Sequence, residues 1–247
     1  MPLDHSNHFL LAMALGLTAA GANLVGGLMI ARGRWSREFL RYFIALGAGF
    51  MLATVLLEMV PQSVRLRGEN ALVYVLVGYF VVHFFEHTLA PHFHFGEETH
   101  TAEMAQAHAS YAALLGLVIH TFFDGVAIAS GLLVSARLGI LIFFAIFLHK
   151  LPEGFTVASL MLASGQSRRA AFVSSAILGA ATLAGVGFMY ALRTQVSAAL
   201  PIAAGVTLYV AASDLIPEVN REPGVRTALL VFIGVAFMLF LRKLFQI

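Results

Sequence analysis

Two short segments of the sequence place a histidine four residues before a carboxylate: His120-Thr-Phe-Phe-Asp124 and His149-Lys-Leu-Pro-Glu153. Ionisable side chains are costly inside apolar stretches and are usually kept there for a function. Residues four apart lie on one face of a helix, so each segment presents an imidazole beside a carboxylate. Two such faces offer nitrogen and oxygen ligands that suit a divalent transition metal. We therefore expect His120, Asp124, His149 and Glu153 to bind a metal ion.

The two segments lie in neighbouring apolar stretches, Met104–Val134 and Leu138–Ala163, joined by a link of only three residues. Such a short link predicts an antiparallel helical hairpin. At 1.5 Å rise per residue, Asp124 and His149 lie roughly 15 to 16 Å from the hairpin end, and His120 and Glu153 roughly 21 to 22 Å. Two layers, each with one imidazole and one carboxylate, would then meet near the middle of a bilayer. The alternative is a buried hydrogen-bond network that only holds the helices together.

The composition is that of a membrane protein. Of 247 residues, 60% are hydrophobic and only 11% are charged, whereas a soluble domain carries about 25% charged residues. The mean hydropathy is +0.86. A net charge of +2 gives no sign of a nucleic-acid-binding surface. The lack of cysteine excludes disulfides and thiolate metal sites, and the first residues do not form a removable signal peptide.

Eight stretches approach the length of about 20 apolar residues that a membrane span requires. They leave no room for an extramembrane domain, so residues 1–247 are predicted to form a single all-α transmembrane domain. The eight predicted spans are Phe9–Ile30, Phe39–Val60, Ala71–Leu89, Met104–Val134, Leu138–Ala163, Ala170–Leu192, Ala198–Ile216 and Thr227–Phe245.

Arginine placement predicts the orientation, because cytoplasmic connections are enriched in basic residues. The odd-numbered connections carry eight arginines, and the opposite side carries six basic residues. The eight are Arg32, Arg34, Arg37, Arg41, Arg168, Arg169, Arg221 and Arg226, and the six are Arg65, Arg67, Arg137, Arg193, Arg242 and Lys243. Both termini are therefore expected outside the cytoplasm.

A second repeat relates the second and seventh spans. Residues 48–62, AGFMLATVLLEMVPQ, align with residues 204–218, AGVTLYVAASDLIPE, and an acidic residue precedes the proline by three positions in both, as Glu58 and Asp214. Consecutive spans cross the membrane in alternating directions, so the second and the seventh run in opposite directions. This predicts an inverted repeat, with spans 1–3 related to spans 6–8 around the central fourth and fifth spans, a common transporter plan. Chance similarity of short apolar segments is the alternative.

These motifs resemble those of the ZIP (Zrt-/Irt-like) family of divalent metal transporters. The resemblance rests on HTFFDG and HKLPEG in the fourth and fifth spans, DLIPE in the seventh, and a histidine-bearing loop between the third and fourth. It implies that His120, Asp124, His149 and Glu153 are the primary ligands of a transported ion. That ion would be zinc, or in some members iron, manganese or cadmium, moved toward the cytoplasm. The resemblance further implies an elevator-like motion within a homodimer.

The residues that follow the two motif histidines depart from the pattern of many ZIP proteins. Relatives often have a polar or acidic residue after the histidine of the fifth span, where it helps to hold a second ion, but here this residue is Lys150. A charged ammonium is no ligand and repels a neighbouring cation, and Thr121 is at best a weak ligand. We predict a mononuclear site in which Lys150 replaces the second cation. The alternative is that Lys150 points toward another acid.

Other acids and histidines give weaker hypotheses. Glu58 could attract cations at the external side, and Asp214 with Glu218 could relay them at the cytoplasmic exit, although helix-end carboxylates can equally be solvated. Residues 91–103 form a loop rich in histidine and glutamate, predicted to be cytoplasmic, that could bind zinc weakly or simply be solvated. The possible metal-binding histidines of this region are His83, His87, His92, His94 and His100.

Three classes of function are compatible with buried ionisable residues: a metal-ion transporter, an intramembrane zinc-dependent hydrolase, and a structural or receptor bundle. A hydrolase would need a separate general base and a substrate cavity, and the sequence has no HExxH motif. A structural bundle does not explain four polar groups at matched depth. We therefore predict a transporter without enzymatic activity or cofactor, in a bacterial inner membrane.

Overall fold

Long apolar runs with few charges fold into helices here, because a helix satisfies its backbone hydrogen bonds within one segment. The computed structural model describes residues 5–32, 37–89, 107–221 and 224–245, which contain no strand. The α-helices are α1 His5–Arg32, α2 Arg37–Thr54, α3 Val60–Arg67, α4 Ala71–Leu89, α5 Ala107–Val134, α6 Ala136–Ala163, α7 Arg168–Ala191, α8 Val196–Tyr209, α9 Ile216–Arg221 and α10 Val225–Leu244.

Seven helical stretches in the described part of the chain are long and apolar enough to cross a membrane. The longest, Glu38–Thr88, has 51 residues and would measure roughly 76 Å as a straight helix, against a hydrocarbon layer of about 30 Å. It contains a 3₁₀ turn, Gly68–Asn70, and Gly68 ends α3 with a φ of +68°. Glycine adopts this left-handed conformation without a steric penalty. The prediction of an all-α integral membrane protein is confirmed.

The predicted spans coincide with helical segments, with two extensions, but the second and third lie in the single stretch Glu38–Thr88. The second span was predicted to end at Val60, but the helix continues to Arg67, and the seventh continues past Ile216 to Arg221. The reason is that apolar content marks the part of a helix in the membrane, whereas the helix itself ends at a conformational break such as Gly68. The start of the fourth span and the loop 91–103 lie outside the described residues.

The helices form two groups. One group contains α1, α5, α6 and α7, and the other contains α2, α3, α4, α8, α9 and α10, with α2 packed against α10 and α4 against α8. In the most apolar 18-residue segment of α6, 72% is buried, compared with 22% in the corresponding segment of α10. The helix pair that carries the two histidine motifs therefore belongs to the first group, with α6 in its interior.

Each of the two repeated segments contains a π turn at the same place. The turns are Val55–Met59, between α2 and α3, and Val210–Leu215, between α8 and α9. Glu58 lies in the first turn and Asp214 in the second. Such turns insert an extra residue into a helix and often occur at functional sites.

Close contacts at glycines recur between the two halves of the chain. A Cβ on Gly49 would lie 2.0 Å from the carbonyl oxygen of Val231, and a Cβ on Gly205 would lie 1.9 Å from that of Val75. Adding 156 to the numbers of Gly49 and Val75 gives Gly205 and Val231, so the second contact repeats the first with the halves exchanged. The same offset relates a further pair of contacts, Gly78 with Ile202 and Gly234 with Leu46, at 2.0 and 2.2 Å.

Candidate metal site

The two histidine motifs lie at the centres of α5 and α6, which form a hairpin. Ser135 separates the helices, and its hydroxyl oxygen accepts a hydrogen bond from the Leu138 amide at 3.1 Å, which caps the start of α6. Each motif histidine is the fourteenth residue of its 28-residue helix. The link is a single residue, shorter than the predicted three, so by residue count His149 lies level with His120 and not, as predicted, with Asp124.

The structure brings His120, Asp124, His149 and Glu153 together. Each contributes one nitrogen or oxygen atom to a cluster in which all four atoms lie within 4.8 Å of one another. Asp124 Oδ2 is 3.2 Å from His120 Nε2 and 3.3 Å from His149 Nε2, and Glu153 Oε2 is 3.8 Å from His149 Nε2. All four side chains are buried.

The hydrogen bonds within the cluster leave atoms available for a metal ion. Nδ1 of His149 lies 3.1 Å from the carbonyl oxygen of Ala145, and Nε2 faces Asp124 Oδ2 at 3.3 Å. When Nδ1 donates to the carbonyl oxygen, the lone pair of Nε2 is available to a metal ion. Metal-binding histidines are commonly held in this way. Among the described residues, His120 Nδ1 and Asp124 Oδ1 are buried without a hydrogen-bond partner. Two imidazoles and two carboxylates thus fit a divalent ion such as zinc.

Lys150 is part of the cluster. Its side chain is completely buried, and Nζ lies 2.6 Å from Asp124 Oδ2 and in direct contact with Glu153 Oε2. Nζ also lies 3.3 Å from the hydroxyl oxygen of Thr121. The ammonium therefore contacts both carboxylates, and the alternative in which Lys150 points toward an acid elsewhere is wrong.

Thr121 completes the polar surroundings of Glu153. Its hydroxyl group donates a hydrogen bond to Glu153 Oε1, and its side chain is fully buried. Lys150 and Thr121 thus occupy one oxygen each of the Glu153 carboxylate. These contacts leave Glu153 less coordination capacity than an unpartnered carboxylate would have.

The glycine after each motif acid permits a close helix contact. A Cβ on Gly154 would lie 2.0 Å from the Asn23 carbonyl oxygen on α1, and a Cβ on Gly125 would lie 2.0 Å from the Thr182 carbonyl oxygen on α7. The motifs therefore hold α5 and α6 against α7 and α1, respectively. A larger residue at either position would prevent this approach.

Glu58 is held by two arginines. Its Oε1 atom lies 2.8 Å from Arg137 Nη2, at the start of α6, and 2.8 Å from Arg242 Nε, near the end of α10. Arg137 belongs to the helix group that carries the metal cluster, whereas Glu58 and Arg242 belong to the other group. The two guanidinium groups offset the charge with which Glu58 was expected to attract cations.

Asp214 is buried away from the central cluster, in the π turn after α8. Glu86 on α4 lies near enough to Asp214 for the two carboxyl groups to influence each other, and Tyr209 lies beside Glu86. Glu218 is partly exposed and lies 3.3 Å from Arg221. Glu86 is a further candidate for a functional position, because an acid inside an apolar helix is costly and usually kept for a role.

Two of the possible loop histidines lie on a helix. His83 and His87 are on α4 with ring centroids 4.1 Å apart, and His87 Nδ1 lies 2.9 Å from the His83 carbonyl oxygen. Within the described ranges, no set of three or more metal-ligating side chains includes them. His92, His94 and His100 lie outside the described residues.

Asn23 is a buried polar residue that the sequence analysis missed. Its side chain is fully buried, and neither amide atom has a hydrogen-bond partner in the described part of the chain. Its backbone contacts Gly154, the residue after Glu153. A single asparagine in an otherwise apolar first span was the available signal.

The sequence model of the ZIP zinc transporter family matches residues 94–242, more than half of the chain and both histidine motifs. This chain belongs to the ZIP family. The members of this family are transporters and not enzymes, so the intramembrane hydrolase is excluded.

Several curated ZIP proteins are similar to the chain. A zinc transporter ZIP13 homolog of Drosophila melanogaster is 34% identical over 155 residues, covering 58% of this chain and 44% of that protein. Zinc transporter ZIP9-B of Xenopus laevis is 24% identical over 246 residues, covering 79% and 80%. Human zinc transporter ZIP4 is 32% identical over 116 residues, covering 45% of this chain and 18% of that protein. The chain thus spans less than half of the fly relative and most of the frog one.

Proposed function

We propose that the protein transports zinc across a membrane toward the cytoplasm, with His120, Asp124, His149 and Glu153 as the ligands of the ion in transit. The observation that carries this proposal is the buried cluster of two imidazoles and two carboxylates at the centre of an apolar helical hairpin. Membership of the ZIP zinc transporter family supports zinc as the substrate. Iron, manganese and cadmium also suit nitrogen and oxygen ligands, so these ions are proposed as competing substrates.

The central site is proposed to hold one ion. Lys150 Nζ contacts Asp124 and Glu153 at once, so a cationic group already lies where the two carboxylates would have to share a second metal ion. An ammonium group repels a metal ion at such distances. The two acids balance a dication, while Lys150 supplies a permanent positive charge beside it.

We further propose eight membrane crossings arranged as an inverted repeat. The 51-residue stretch Glu38–Thr88 would cross twice, reversing at the 3₁₀ turn Gly68–Asn70. Two π turns and two pairs of glycine contacts recur at matching positions of the first and last three spans. These matching contacts support an inverted repeat over chance similarity of short apolar segments. Substrate sites of inverted-repeat transporters lie at the repeat interface, where α5 and α6 are.

An elevator-type motion is proposed to follow the division into two helix groups. The group of α1, α5, α6 and α7 carries all four ligands, so it can move as a unit without changing the ligand geometry. The ion pair between Arg137 and Glu58 joins this group to the other one. Because Arg242 also holds Glu58, Arg137 can leave without exposing an unpaired carboxylate to a low-dielectric environment.

Asp214 is proposed to relay the ion on the exit side, together with Glu218. The electrostatic interaction of Asp214 with Glu86 supports this role, because two nearby acids attract a cation. Replacement of Asp214 by asparagine should lower the maximal rate of zinc uptake without changing the affinity of the central site. Replacement of the exposed Glu69 by glutamine is the matched control. Unchanged uptake by the Asp214→Asn protein would remove Asp214 from the pathway.

The remaining features of the proposal are a homodimer, external termini and a bacterial inner membrane. Arg41, Arg221 and Arg226 line one pocket, which supports the placement of the first and seventh connections on the same side. The relatives named above come from animals, so they lend no support to a bacterial host.

Radioactive zinc uptake into proteoliposomes tests the proposed function. Vesicles that contain the protein should accumulate zinc faster than protein-free vesicles, and unlabelled cadmium or manganese should compete if they share the site. Equal zinc accumulation in both kinds of vesicle would overturn the proposal.

A further inference from the structure

A pocket of about 690 Å³ lies between the start of α2 and the start of α10. Among the described residues, three arginines and one glutamate line it, and Arg221 also lies 3.3 Å from Glu218, so this part of the pocket carries a net positive charge. The lining residues used below are Glu38, Arg41, Tyr42, Arg221, Gly224 and Arg226. None of them belongs to the metal cluster.

The pocket lies where the membrane-spanning segments end. The apolar stretch Glu38–Thr88 begins at one wall, the stretch Arg193–Arg221 ends at another, and the stretch Val225–Leu244 begins between them. Ends of spans lie at the boundary between hydrocarbon and water, where lipid headgroups are found. A positively charged pocket at this depth faces the phosphates of the bilayer.

The chemistry of the lining suits a phosphate group. Guanidinium groups bind phosphate oxygens in a planar, two-pronged geometry, and Arg226 and Arg221 are exposed, with Arg41 partly buried between helices. The Tyr42 hydroxyl group donates to Glu38 Oε1 at 2.6 Å, so the acid among the described lining residues already has a hydrogen-bond donor. Gly224 gives the first turn of α10 no side-chain cap, and such amides add to the attraction of an anion.

We propose that this pocket binds the phosphate group of an anionic phospholipid. The volume lies within the range of about 300 to 1,000 Å³ that small-molecule sites occupy. Bound lipid would hold α2 and α10, a packed pair of the helix group without the metal ligands, at the membrane surface. By the arginine distribution this is the cytoplasmic leaflet. Inorganic phosphate shares the recognised chemistry, but the depth of the pocket favours the lipid.

Native mass spectrometry of the purified full-length protein in detergent tests the proposal without zinc, so its outcome is independent of transport. Phosphatidylglycerol should bind more tightly than phosphatidylcholine. Replacing Arg41 and Arg226 together by glutamine should weaken phosphatidylglycerol binding by roughly tenfold or more, because each arginine near an anionic lipid surface contributes substantially. The matched control replaces Arg168 and Arg169, exposed arginines at the start of α7, by glutamine.

Three outcomes decide the matter. Loss of phosphatidylglycerol binding in the pocket variant but not in the control variant supports the site. Equal binding by both variants, or equal binding of the two lipids, overturns it. Displacement of phosphatidylglycerol by millimolar inorganic phosphate would overturn the lipid as the ligand and assign the pocket to free phosphate. An Arg226→Lys protein keeps the charge but loses the two-pronged geometry, so it should bind phosphatidylglycerol less tightly than the native protein and more tightly than the double glutamine variant.

Discussion

Lys150 sets the charge of the central site. Its Nζ atom contacts Asp124 and Glu153 while the side chain is fully buried. The sequence could show that an ammonium group follows His149, but the direction of a long flexible side chain depends on packing that no motif encodes. The contact of Thr121 could not be predicted either, because its hydrogen bond to Glu153 joins two different helices.

Replacing Lys150 by aspartate should convert the mononuclear site into a binuclear one. The substitution removes the repelling ammonium and adds a carboxylate between Asp124 and Glu153, so a second cation becomes favourable. Mass spectrometric analysis of metal content should find one more zinc ion per chain than in the native protein. The Lys150→Gln protein, which adds no ligand charge, should bind the native number. If Lys150→Asp also binds the native number, Lys150 does not limit the site to one ion.

At the scale of helices, the motif glycines determine how closely the ligand helices pack. Gly125 and Gly116 both lie on α5, but a Cβ on Gly125 would lie 2.0 Å from the Thr182 carbonyl oxygen, whereas a Cβ on Gly116 would meet nothing within 4 Å. Replacing Gly125 by alanine should force α5 and α7 apart and cost about 1 to 3 kcal/mol. Thermal unfolding in detergent should show a lower midpoint for Gly125→Ala only. Equal midpoints for both variants would contradict this account of the packing.

The Arg137–Glu58 ion pair is predicted to stabilise the observed arrangement of the two helix groups. Both side chains are partly exposed to the surroundings of the bundle, so the pair should contribute about 1 kcal/mol. Arg137→Gln should therefore increase hydrogen exchange of the backbone amides around Ser135 about fivefold. Arg242→Gln breaks a contact within one group and should leave this exchange unchanged. The same effect from both variants would show that the contact does not act between the groups.

Much of the helical arrangement could be predicted from the sequence, because apolar length and short connections constrain membrane helices strongly. The hairpin of α5 and α6 and the approximate depth of its ligands could be predicted from a short link and a constant helical rise, although the link is one residue and not three. The extensions of the second and seventh spans could not be predicted in this way. The first extension ends at Gly68, and the second reaches Arg221, both beyond the apolar residues.

At the scale of the whole molecule, the repeat of 15 aligned residues in the sequence is accompanied by matching contacts between helices. Gly49 with Val231 and Gly205 with Val75 are the same contact in exchanged halves. The sequence alignment carried Ala, Gly, Leu, Pro and one acid, yet which helix each glycine touches depends on the full packing. The partners of Glu58 and Asp214 differ, two arginines in one case and Glu86 in the other. The two acids at matching positions of the repeat therefore have different surroundings.

The central claim is that zinc crosses the membrane through the four-residue cluster on α5 and α6. Its most direct test is the initial rate of radioactive zinc uptake into proteoliposomes by the native, His149→Ala and Glu153→Ala proteins. The Glu69→Ala protein, which loses an exposed carboxylate outside the cluster, is the matched control. Both cluster variants should lose uptake by roughly tenfold or more, and the control should retain the native rate. Native uptake rates in His149→Ala and Glu153→Ala would contradict the account.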